Sequence, residues 1–442
     1  MSIKEYLQSV IAHIRSKEAK SYVEAELANH MEHSKMSWMT KGYTEKDAEG
    51  KAASEMGSPT VLGKSLNEIH KPKIDWLLLS LLIGILLLSF LPIIALNQPH
   101  YEYRYGHMIP AFLSNHVIHI ILGFGVALGL MFLDYRKFAQ LGYVFFGIAS
   151  LFIISLYSFY NAQINGKVLI QVGFISLKVW MAIPLYCIAW AALFSKQNFA
   201  LWKATVLVGI SFVLFSFNAD LSILLIYGAL VAVLFMKSKF SRKQKSIVFG
   251  AVATLIVSYI IFAWFSYQNG SIAKYQIDRL LGFLNPAGYA EYTGYMNVML
   301  TDLLQGAKWF GAGTTYKLPE AHTDLVFGHL IQSYGLAVAI GIFIILSLVI
   351  MRFLHITSSV KDSFGRLIIT GCITIFSTQF IYAIGMTLGL VPIVSISLPF
   401  FSYGFMPTVL NAFLIGLVLS VYRRKHFVQT LHVPKITSKT SH

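Results

Sequence analysis

The residues best suited to chemistry lie in one polar stretch, residues 275–335, within an otherwise apolar part of the chain. Beyond Asp75 there are nine acidic residues, and five of them fall in this stretch: Asp278, Glu291, Asp302, Glu320 and Asp324. The basic residues in it are Arg279, Lys308 and Lys317. A carboxylate can take a proton from an attacking hydroxyl, and Lys or Arg can stabilise charge growing on a leaving phosphate. The stretch therefore predicts a site for an anionic group such as a diphosphate, or else a loop that is merely solvated.

The composition is that of a membrane protein. Of the 442 residues, 56% are hydrophobic and only 12% are charged, whereas about a quarter of the residues of a soluble chain are charged. The formal net charge of +15 first suggests nucleic-acid binding. Most basic residues, however, lie in short connections between apolar runs. The low charge content and the position of the basic residues therefore predict contact with membrane lipid and no nucleic-acid partner.

Ten apolar runs follow Lys73, most of them near the ~20 residues that cross a bilayer as a helix. They are Trp76–Leu96, Ala111–Leu133, Leu141–Tyr160, Phe174–Phe194, Ala200–Phe217, Leu221–Met236, Ile247–Phe265, Leu325–Met351, Leu367–Val391 and Phe405–Val421. The predicted fold is all-α, a polytopic membrane protein with ten transmembrane helices. Residues 74–425 form this membrane domain, with a large loop at 266–324 and a tail at 426–442.

The basic connections predict the orientation of the helices. Lys and Arg cluster in every second connection, most densely over Lys237–Lys245, and such connections face the cytoplasm. Both termini are then cytoplasmic, and the loop at 266–324 faces outward.

Residues 1–73 are predicted to form a small helical domain on the cytoplasmic side. Apolar residues spaced by three and four predict one helix near the start, and a second is expected over about Ser16–Met39. Thr44 followed by Asp47 has the spacing of a helix start, so a third helix is expected to end at Glu55. The segment resembles the HAAS-like or permease-prefix domains that precede bacterial membrane segments. The matching stretches are Glu24–His30, Gly42–Ala48 and Met56–Pro59. This resemblance implies a regulatory or docking module, and a stabilising cap is the alternative.

No metal site is predicted. Cys187 and Cys372 both lie in apolar runs, which gives no indication of a disulfide or a metal centre. His322 and His329 are interpreted as packing or loop residues rather than ligands.

The most specific stretches of the chain lie in the long loop and the last three apolar runs. They are Tyr275–Pro286, Trp309–Gly313, Leu318–Phe327, Asp362–Arg366 and Ile384–Gly404. On these stretches, residues 76–425 resemble the SEDS family, the peptidoglycan glycosyltransferases of the RodA, FtsW and SpoVE type. Asn218–Leu221 is similar to the family's Gln-Pro-Asp-Leu turn. The helical segment at the amino terminus marks a divergent member.

The resemblance implies glycosyl transfer outside the membrane. The family joins disaccharide-pentapeptide units of lipid II into glycan strands with inversion, and releases undecaprenyl diphosphate. The essential aspartate of its His-Thr-Asp segment corresponds to Asp324, which is expected to be the catalytic base. Arg279, Lys308 and Lys317 are the expected contacts of the diphosphate.

Three further residues complete the expected substrate-binding set: Glu320, Gln379 and Ser402. Simpler interpretations remain open for several of these positions. Asp324 directly precedes an apolar run and could cap a helix. Glu320 could be an ordinary loop acid, and Gln379 could bond between helices.

The resemblance also implies partners and a location. A class B penicillin-binding protein is the expected transpeptidase partner, and the bacterial cytoplasmic membrane is the expected site of action, in elongation, division or sporulation. No cofactor is required by the sequence, although a divalent cation at the diphosphate is compatible with the chemistry.

Four segments depart from the family pattern. Lys167–Ile170 replaces its Arg-Trp pair, Leu177–Trp180 its Gln-Pro-Ser-Glu, Gln332–Gly335 its Glu-Glu-Leu-Gly, and Phe405–Thr408 its Gly-Ser-Ser. These departures predict a retained fold with weakened catalysis. The alternatives are a non-catalytic scaffold that recruits wall-synthesis partners, or a transporter or flippase for a lipid-linked sugar. A transporter is expected to carry acids within its spans, and only Asp220, at a hairpin tip, comes near that.

Overall fold

The chain folds into two compact units. The structure is a computed structural model that describes residues 1–15, 17–69, 72–98, 101, 106–164, 167–173, 175–217, 220–269, 278, 281–313 and 315–425. One unit contains Met1–Ile74 and the carboxy-terminal residues from Tyr422, and the other is Asp75–Val421.

Helices make up most of the described chain, as the sequence predicts. They are α1 (Ile3–Ala12), α2 (Lys17–Thr40), α3 (Glu45–Glu55), α4 (Pro59–Ile69), α5 (Trp76–Leu88), α6 (Leu91–Ala95), α7 (Ile109–Phe132), α8 (Gly142–Phe159), α9 (Ala182–Ser195), α10 (Leu201–Ser216), α11 (Leu221–Lys237), α12 (Arg242–Gln268), α13 (Tyr295–Gln305), α14 (Val326–Tyr334), α15 (Leu336–Ser359), α16 (Ser363–Thr387) and α17 (Phe405–Arg423). The strands are β1 (Ala162–Ile164), β2 (Lys167–Val172) and β3 (Ile175–Lys178).

The amino-terminal unit contains α1 to α4 around a small apolar core. Tyr6, Val10 and Met31 are almost completely buried in it. Helix α3 begins where the sequence predicts, because the Thr44 side chain accepts a hydrogen bond from the backbone N–H of Asp47.

Helix α4 was not predicted from the sequence. The run Gly57–Pro59 predicts the end of a helix, and α3 does end just before it. Proline is nevertheless compatible with the first turn of a helix, where its missing N–H has no intrahelical partner. Pro59 therefore starts α4 in addition to marking the end of α3.

The second unit is a polytopic membrane domain. Among the described residues, seven helical segments are long and apolar enough to cross a bilayer: Trp76–Ala95, Gly106–Phe132, Gly142–Phe159, Arg242–Gln268, Leu336–Ser359, Ser363–Thr387 and Phe405–Arg423. Three further apolar helices are shorter: Val179–Ser195, Leu201–Ser216 and Leu221–Lys237. These ten segments coincide with the ten predicted runs and confirm the predicted class of fold. The count of ten crossings stays a prediction, because the three shorter helices have fewer than 18 residues.

A small antiparallel sheet precedes the fourth predicted span, and its strand β3 occupies the beginning of that span. Its strand order is β1-β2-β3, and Leu169 is paired with Lys178 while Ile164 is paired with Lys167. The prediction of a continuous helix from Phe174 was wrong here, because an apolar run of this length does not distinguish a buried helix from a strand. The helix proper begins only at Ala182.

The eighth predicted span is divided by Gly335. This residue has φ +89°, and a Cβ atom on it would lie 2.7 Å from the Trp309 carbonyl oxygen and 2.8 Å from that of Lys308. The backbone N–H of Leu336 donates to the Lys308 carbonyl at 2.9 Å. Only glycine fits this left-handed, crowded position, so the chain breaks into α14 and α15 where the loop backbone docks against it.

Polar contacts join connections that the sequence assigns to the cytoplasmic side. Arg352 Nε donates to Asp75 Oδ2 at 2.9 Å, and Asp75 also caps α5 by accepting from the Leu78 N–H. The Tyr135 hydroxyl donates to Asp362 at 3.4 Å. These contacts fit the predicted alternation of the connections between two sides of the domain.

Helices α7 and α17 approach closely at a glycine. A Cβ atom on Gly416 would lie 2.9 Å from both the Cα atom and the carbonyl oxygen of Ala127. Small residues allow such backbone contact between membrane helices. Gly125, also on α7, has no neighbouring heavy atom within 4 Å of the corresponding position.

We expect Gly416→Ala to destabilise the membrane domain by about 1–3 kcal/mol, because the added methyl group meets backbone that cannot rotate away. The measurement is thermal unfolding of the purified protein in detergent. Gly125→Ala is the matched control, and it should leave the melting temperature unchanged or raise it, since alanine favours a helix interior. Equal melting temperatures for the two variants would contradict the close packing of α7 on α17.

Candidate active site

A polar cavity of about 480 Å³ lies in the membrane domain. Its walls are formed by Asn115, His119, Lys167, Val168, Leu169, Ser176, Lys178, Val179, Trp180, Asp220, Glu320, Thr323, Asp324, Gln379, Ser395, Ser397, Tyr403, Gly404, Phe405, Met406, Pro407 and Leu410. Four connections contribute to it: the β-sheet, the turn before α11, the end of the long loop, and the segment before α17. All four are connections that the sequence predicts to face outward.

Asp324 reaches the cavity from a tight turn at the end of the long loop. The Glu320 carbonyl accepts hydrogen bonds from the backbone N–H groups of Thr323 at 3.0 Å and Leu325 at 3.2 Å. Glu320 has φ +50°, a left-handed conformation that is unusual for a residue other than glycine. The Thr323 hydroxyl donates to Glu320 Oε2 at 2.7 Å. The turn therefore positions Glu320 and Asp324 along the same wall, just before α14.

Hydrogen bonds connect this turn to the segment before α17. The backbone N–H of Tyr403 donates to the His322 carbonyl at 2.7 Å. The Ser402 hydroxyl donates to the Thr323 carbonyl at 2.7 Å and accepts from the Leu398 N–H at 2.8 Å. Ser402 is completely buried and does not line the cavity. Its predicted substrate contact stays a prediction, while its hydrogen bonds make it a positioning residue for the Asp324 turn.

The surroundings of Asp324 favour a carboxyl that holds its proton more strongly than usual. Burial raises its pKa, a hydrogen bond with Ser395 lowers it, and the negative charge of Glu320 raises it further. Lys167 and Lys178 oppose the rise through their positive charges. Desolvation is the largest of these effects. A carboxylate with a raised pKa is a stronger base, which suits it to accept a proton from a hydroxyl.

Two lysines of the sheet supply positive charge to the cavity. Lys167 Nζ lies 2.7 Å from Asp220 Oδ2, and Asp220 also accepts from the Ser222 N–H as the cap of α11. Confinement in the cavity lowers the pKa of Lys178, against the influence of the Asp324 charge.

Sequence reasoning missed both lysines as site residues. They stand at two of the positions where the chain departs from the family pattern, and they were interpreted only as lost family residues. A usable signal was present, because Lys is uncommon in connections that face outward. Lys167 lies in such a connection, and Lys178 lies within the fourth predicted span, where a charged residue indicates a functional site.

A buried amide pair forms another part of the wall. The Gln379 amide donates to the Ile375 carbonyl at 3.2 Å and pairs with the Asn411 amide at 3.4 Å. Gln379 still lines the cavity, so its helix-bonding role and its predicted substrate contact are compatible. His119 lines the cavity as well, and its Nδ1 atom is buried without a hydrogen-bond partner.

The other predicted contacts of a diphosphate lie elsewhere. Lys308 and Lys317 are exposed and do not line the cavity. Arg279 lies outside the described residues. Within the part of the chain that the structure describes, no group of three or more His, Cys, Asp or Glu side chains could hold a metal ion.

The chain is similar to proteins of one family over most of its length. The family described as "Cell cycle protein" (FTSW_RODA_SPOVE) matches residues 75–426. The "probable peptidoglycan glycosyltransferase FtsW" of Alcanivorax borkumensis is 25% identical over 69% of this chain and 82% of its own length. The protein of the same name in Bacillus subtilis is 23% identical over 72% of this chain and 83% of its own length.

A solved structure has the same fold. It is a chain of the structure described as "Structural coordination of polymerization and crosslinking by a peptidoglycan synthase complex". The likeness has a TM-score of 0.65 at 22% identity, and it covers 80% of this chain and 98% of that one. The match of the family model to residues 75–426 confirms the resemblance to the family, and this structural likeness confirms the fold.

Replacing Ser402 tests whether it positions the Asp324 turn. Ser402→Ala leaves the Thr323 carbonyl and the Leu398 N–H without their partner, and such a loss costs about 1–3 kcal/mol. We therefore expect a lower melting temperature of the purified protein. Ser397→Ala is the control, since this serine lines the cavity; its melting temperature should stay close to that of the wild type. An unaltered melting temperature for Ser402→Ala would show that the turn is held by other contacts.

Proposed function

Since the chain belongs to the FtsW/RodA/SpoVE family of cell cycle proteins, we propose that it is a peptidoglycan glycosyltransferase that polymerises lipid II into glycan strands. The observation that carries the proposal is the Asp324 carboxyl, placed in a cavity whose lining also includes Lys167 and Lys178. The relatives named as probable peptidoglycan glycosyltransferases support the same activity.

Asp324 acts as the general base. It accepts the proton of the acceptor hydroxyl as the hydroxyl oxygen forms a bond to the anomeric carbon of the donor sugar. The bond from that carbon to the diphosphate oxygen breaks, and undecaprenyl diphosphate leaves with the electron pair. Inversion follows, because attacking and leaving oxygens stand on opposite faces of the sugar carbon. Positive charge in the cavity stabilises the leaving diphosphate.

The cavity opens toward the outer side of a bacterial cytoplasmic membrane, with both termini in the cytoplasm. The basic connections support this orientation. It is also supported by the convergence of four predicted outward connections on one cavity, while Asp75, Arg352, Tyr135 and Asp362 join connections of the other side. Lipid II presented on the outer face then reaches Asp324 without crossing the domain.

A class B penicillin-binding protein is the proposed partner. A glycan strand must be crosslinked after polymerisation, and the structural neighbour comes from a synthase complex that combines the two activities. We also propose that a divalent cation binds together with the diphosphate of the substrate.

Asp324→Asn tests the proposed base. The amide cannot accept the proton, and loss of a general base lowers rates by about 10²–10⁴-fold. The measurement is polymerisation of lipid II by the purified protein together with its penicillin-binding protein. Asp302→Asn is the matched control, because Asp302 is an exposed acid of the same loop outside the cavity. If the wild type makes no glycan, the proposed activity is refuted. If Asp324→Asn is as active as Asp302→Asn, the base is another residue.

The pH dependence of polymerisation provides a second test. Asp324 works only when ionised, so activity is lost as pH falls through its pKa, which lies above the usual value for aspartate. Glu320→Gln removes a neighbouring negative charge, lowers this pKa and should move the acidic limb to lower pH. Lys178→Gln removes a positive charge and should move the limb to higher pH.

The measurement is the initial rate across a pH series for the wild type and both variants, each normalised to its own maximum. Shifts in the same direction, or no shift in either variant, would contradict the assignment of the acidic limb to Asp324.

A further inference from the structure

The side chains of Lys167 and Lys178 project from the same face of the β-sheet. Lys178 is paired directly with Leu169, and Lys167 lies two residues before Leu169 on the same strand. Because side chains alternate between the faces of a strand, both lysines point to one side. Such diagonal neighbours have Cα atoms roughly 7–8 Å apart. Both side chains line the cavity, so the sheet presents two ammonium groups to it.

The position of Lys167 is set by a buried acid. Its ammonium lies 2.7 Å from Asp220 Oδ2, and the Asp220 side chain is only 2% exposed. The other oxygen of Asp220 is held by the Ser222 N–H. An ammonium has three donors, and the Lys167 side chain is still 33% exposed. Lys167 is therefore held in place while retaining donors for a ligand.

The Lys178 ammonium is not held by a single acidic partner among the described residues. Among the described residues it makes no ion pair within 4 Å, although Asp324 and Glu320 act on its charge across the cavity. Lys178 is exposed although it lines the cavity, so its ammonium is accessible to an anionic ligand there.

No other described lysine or arginine lines this cavity. The lysines that the sequence suggested for a diphosphate, Lys308 and Lys317, are exposed outside it. Within the part of the chain that the structure describes, the positive charge next to Asp324 therefore comes from the sheet.

We propose that Lys167 and Lys178 form the subsite that holds the diphosphate of the lipid-linked donor, with Asp220 fixing Lys167. The proposal rests on the proposed function for the identity of the donor. The sheet holds the leaving group on one wall, and Asp324 approaches from the wall formed by the long loop. This arrangement keeps base and leaving group apart, as an inverting displacement requires.

The test measures binding and polymerisation separately. Binding of undecaprenyl diphosphate, undecaprenyl phosphate and undecaprenol to the purified full-length protein is measured in detergent. Two variants remove the lysines: Lys178→Gln, and Lys167→Gln combined with Asp220→Asn so that no buried acid is left unpaired. Lys178→Arg keeps the charge. Lys239→Gln, an exposed lysine of a predicted cytoplasmic connection, removes one charge away from the cavity.

We expect the wild type to bind the diphosphate lipid more tightly than the monophosphate lipid or the alcohol. Each lysine variant should weaken diphosphate binding about tenfold, in line with the loss of one charge-assisted hydrogen bond. Lys178→Arg should retain most of the affinity and Lys239→Gln all of it. In polymerisation, Lys178→Gln should raise the KM for lipid II as well as lower kcat.

Three binding outcomes would overturn the subsite. They are a wild type that does not prefer the diphosphate, lysine variants that bind like the wild type while keeping its melting temperature, and Lys239→Gln weakening binding as much as Lys178→Gln. These outcomes are separate from the proposed activity. A protein that binds diphosphate through the lysines but makes no glycan retains the subsite and refutes the activity. A protein whose lysine variants polymerise with unchanged kinetics retains the activity and refutes the subsite.

Discussion

Backbone N–H and C=O groups inside a bilayer must find hydrogen-bond partners within the protein, and this constraint shapes the whole membrane domain. It requires helices wherever the chain faces lipid. It permits irregular backbone and polar side chains only where other parts of the protein surround them. The cavity around Asp324 is such a place, since a sheet, a helix cap, a tight turn and the segment before α17 meet there. Polar side chains can gather at this site because protein surrounds them there, whereas segments that face lipid must be apolar.

The same constraint explains how the Asp324 turn is held. A loop cannot rely on water for all of its hydrogen bonds when it closes over a buried cavity. The bonds from Tyr403 to His322 and from Ser402 to Thr323 satisfy two loop carbonyls with groups of the segment before α17. Gly335 provides a further contact, since a residue without a side chain allows the backbone of Lys308 and Trp309 to approach closely. The Asp324 turn is therefore held by contacts from distant parts of the sequence.

The departures from the family pattern take on a different meaning once their positions are known. Lys167 and Lys178 stand where family residues are replaced, and both line the cavity beside Asp324. Gln332 stands in a third departing segment, where its amide forms two hydrogen bonds with the backbone of Tyr316. These segments therefore contribute charges and contacts to the structure of this chain. The departures do not by themselves imply a weakened site.

The sequence alone determined the class of fold, because long apolar runs in a chain this poor in charge have no stable alternative to membrane helices. It also indicated the family, since the resemblance depends on stretches that are continuous in the chain, and it singled out Asp324 as the predicted base. Only the tertiary structure decided which charges meet Asp324. Strand pairing put Lys178 on the same face of the sheet as Lys167, and chain packing put Lys167 against Asp220 and brought both lysines into the cavity that Asp324 lines. Lys308 and Lys317 are nearer to Asp324 in sequence, yet they are exposed elsewhere, because proximity along a loop does not fix the direction of a side chain.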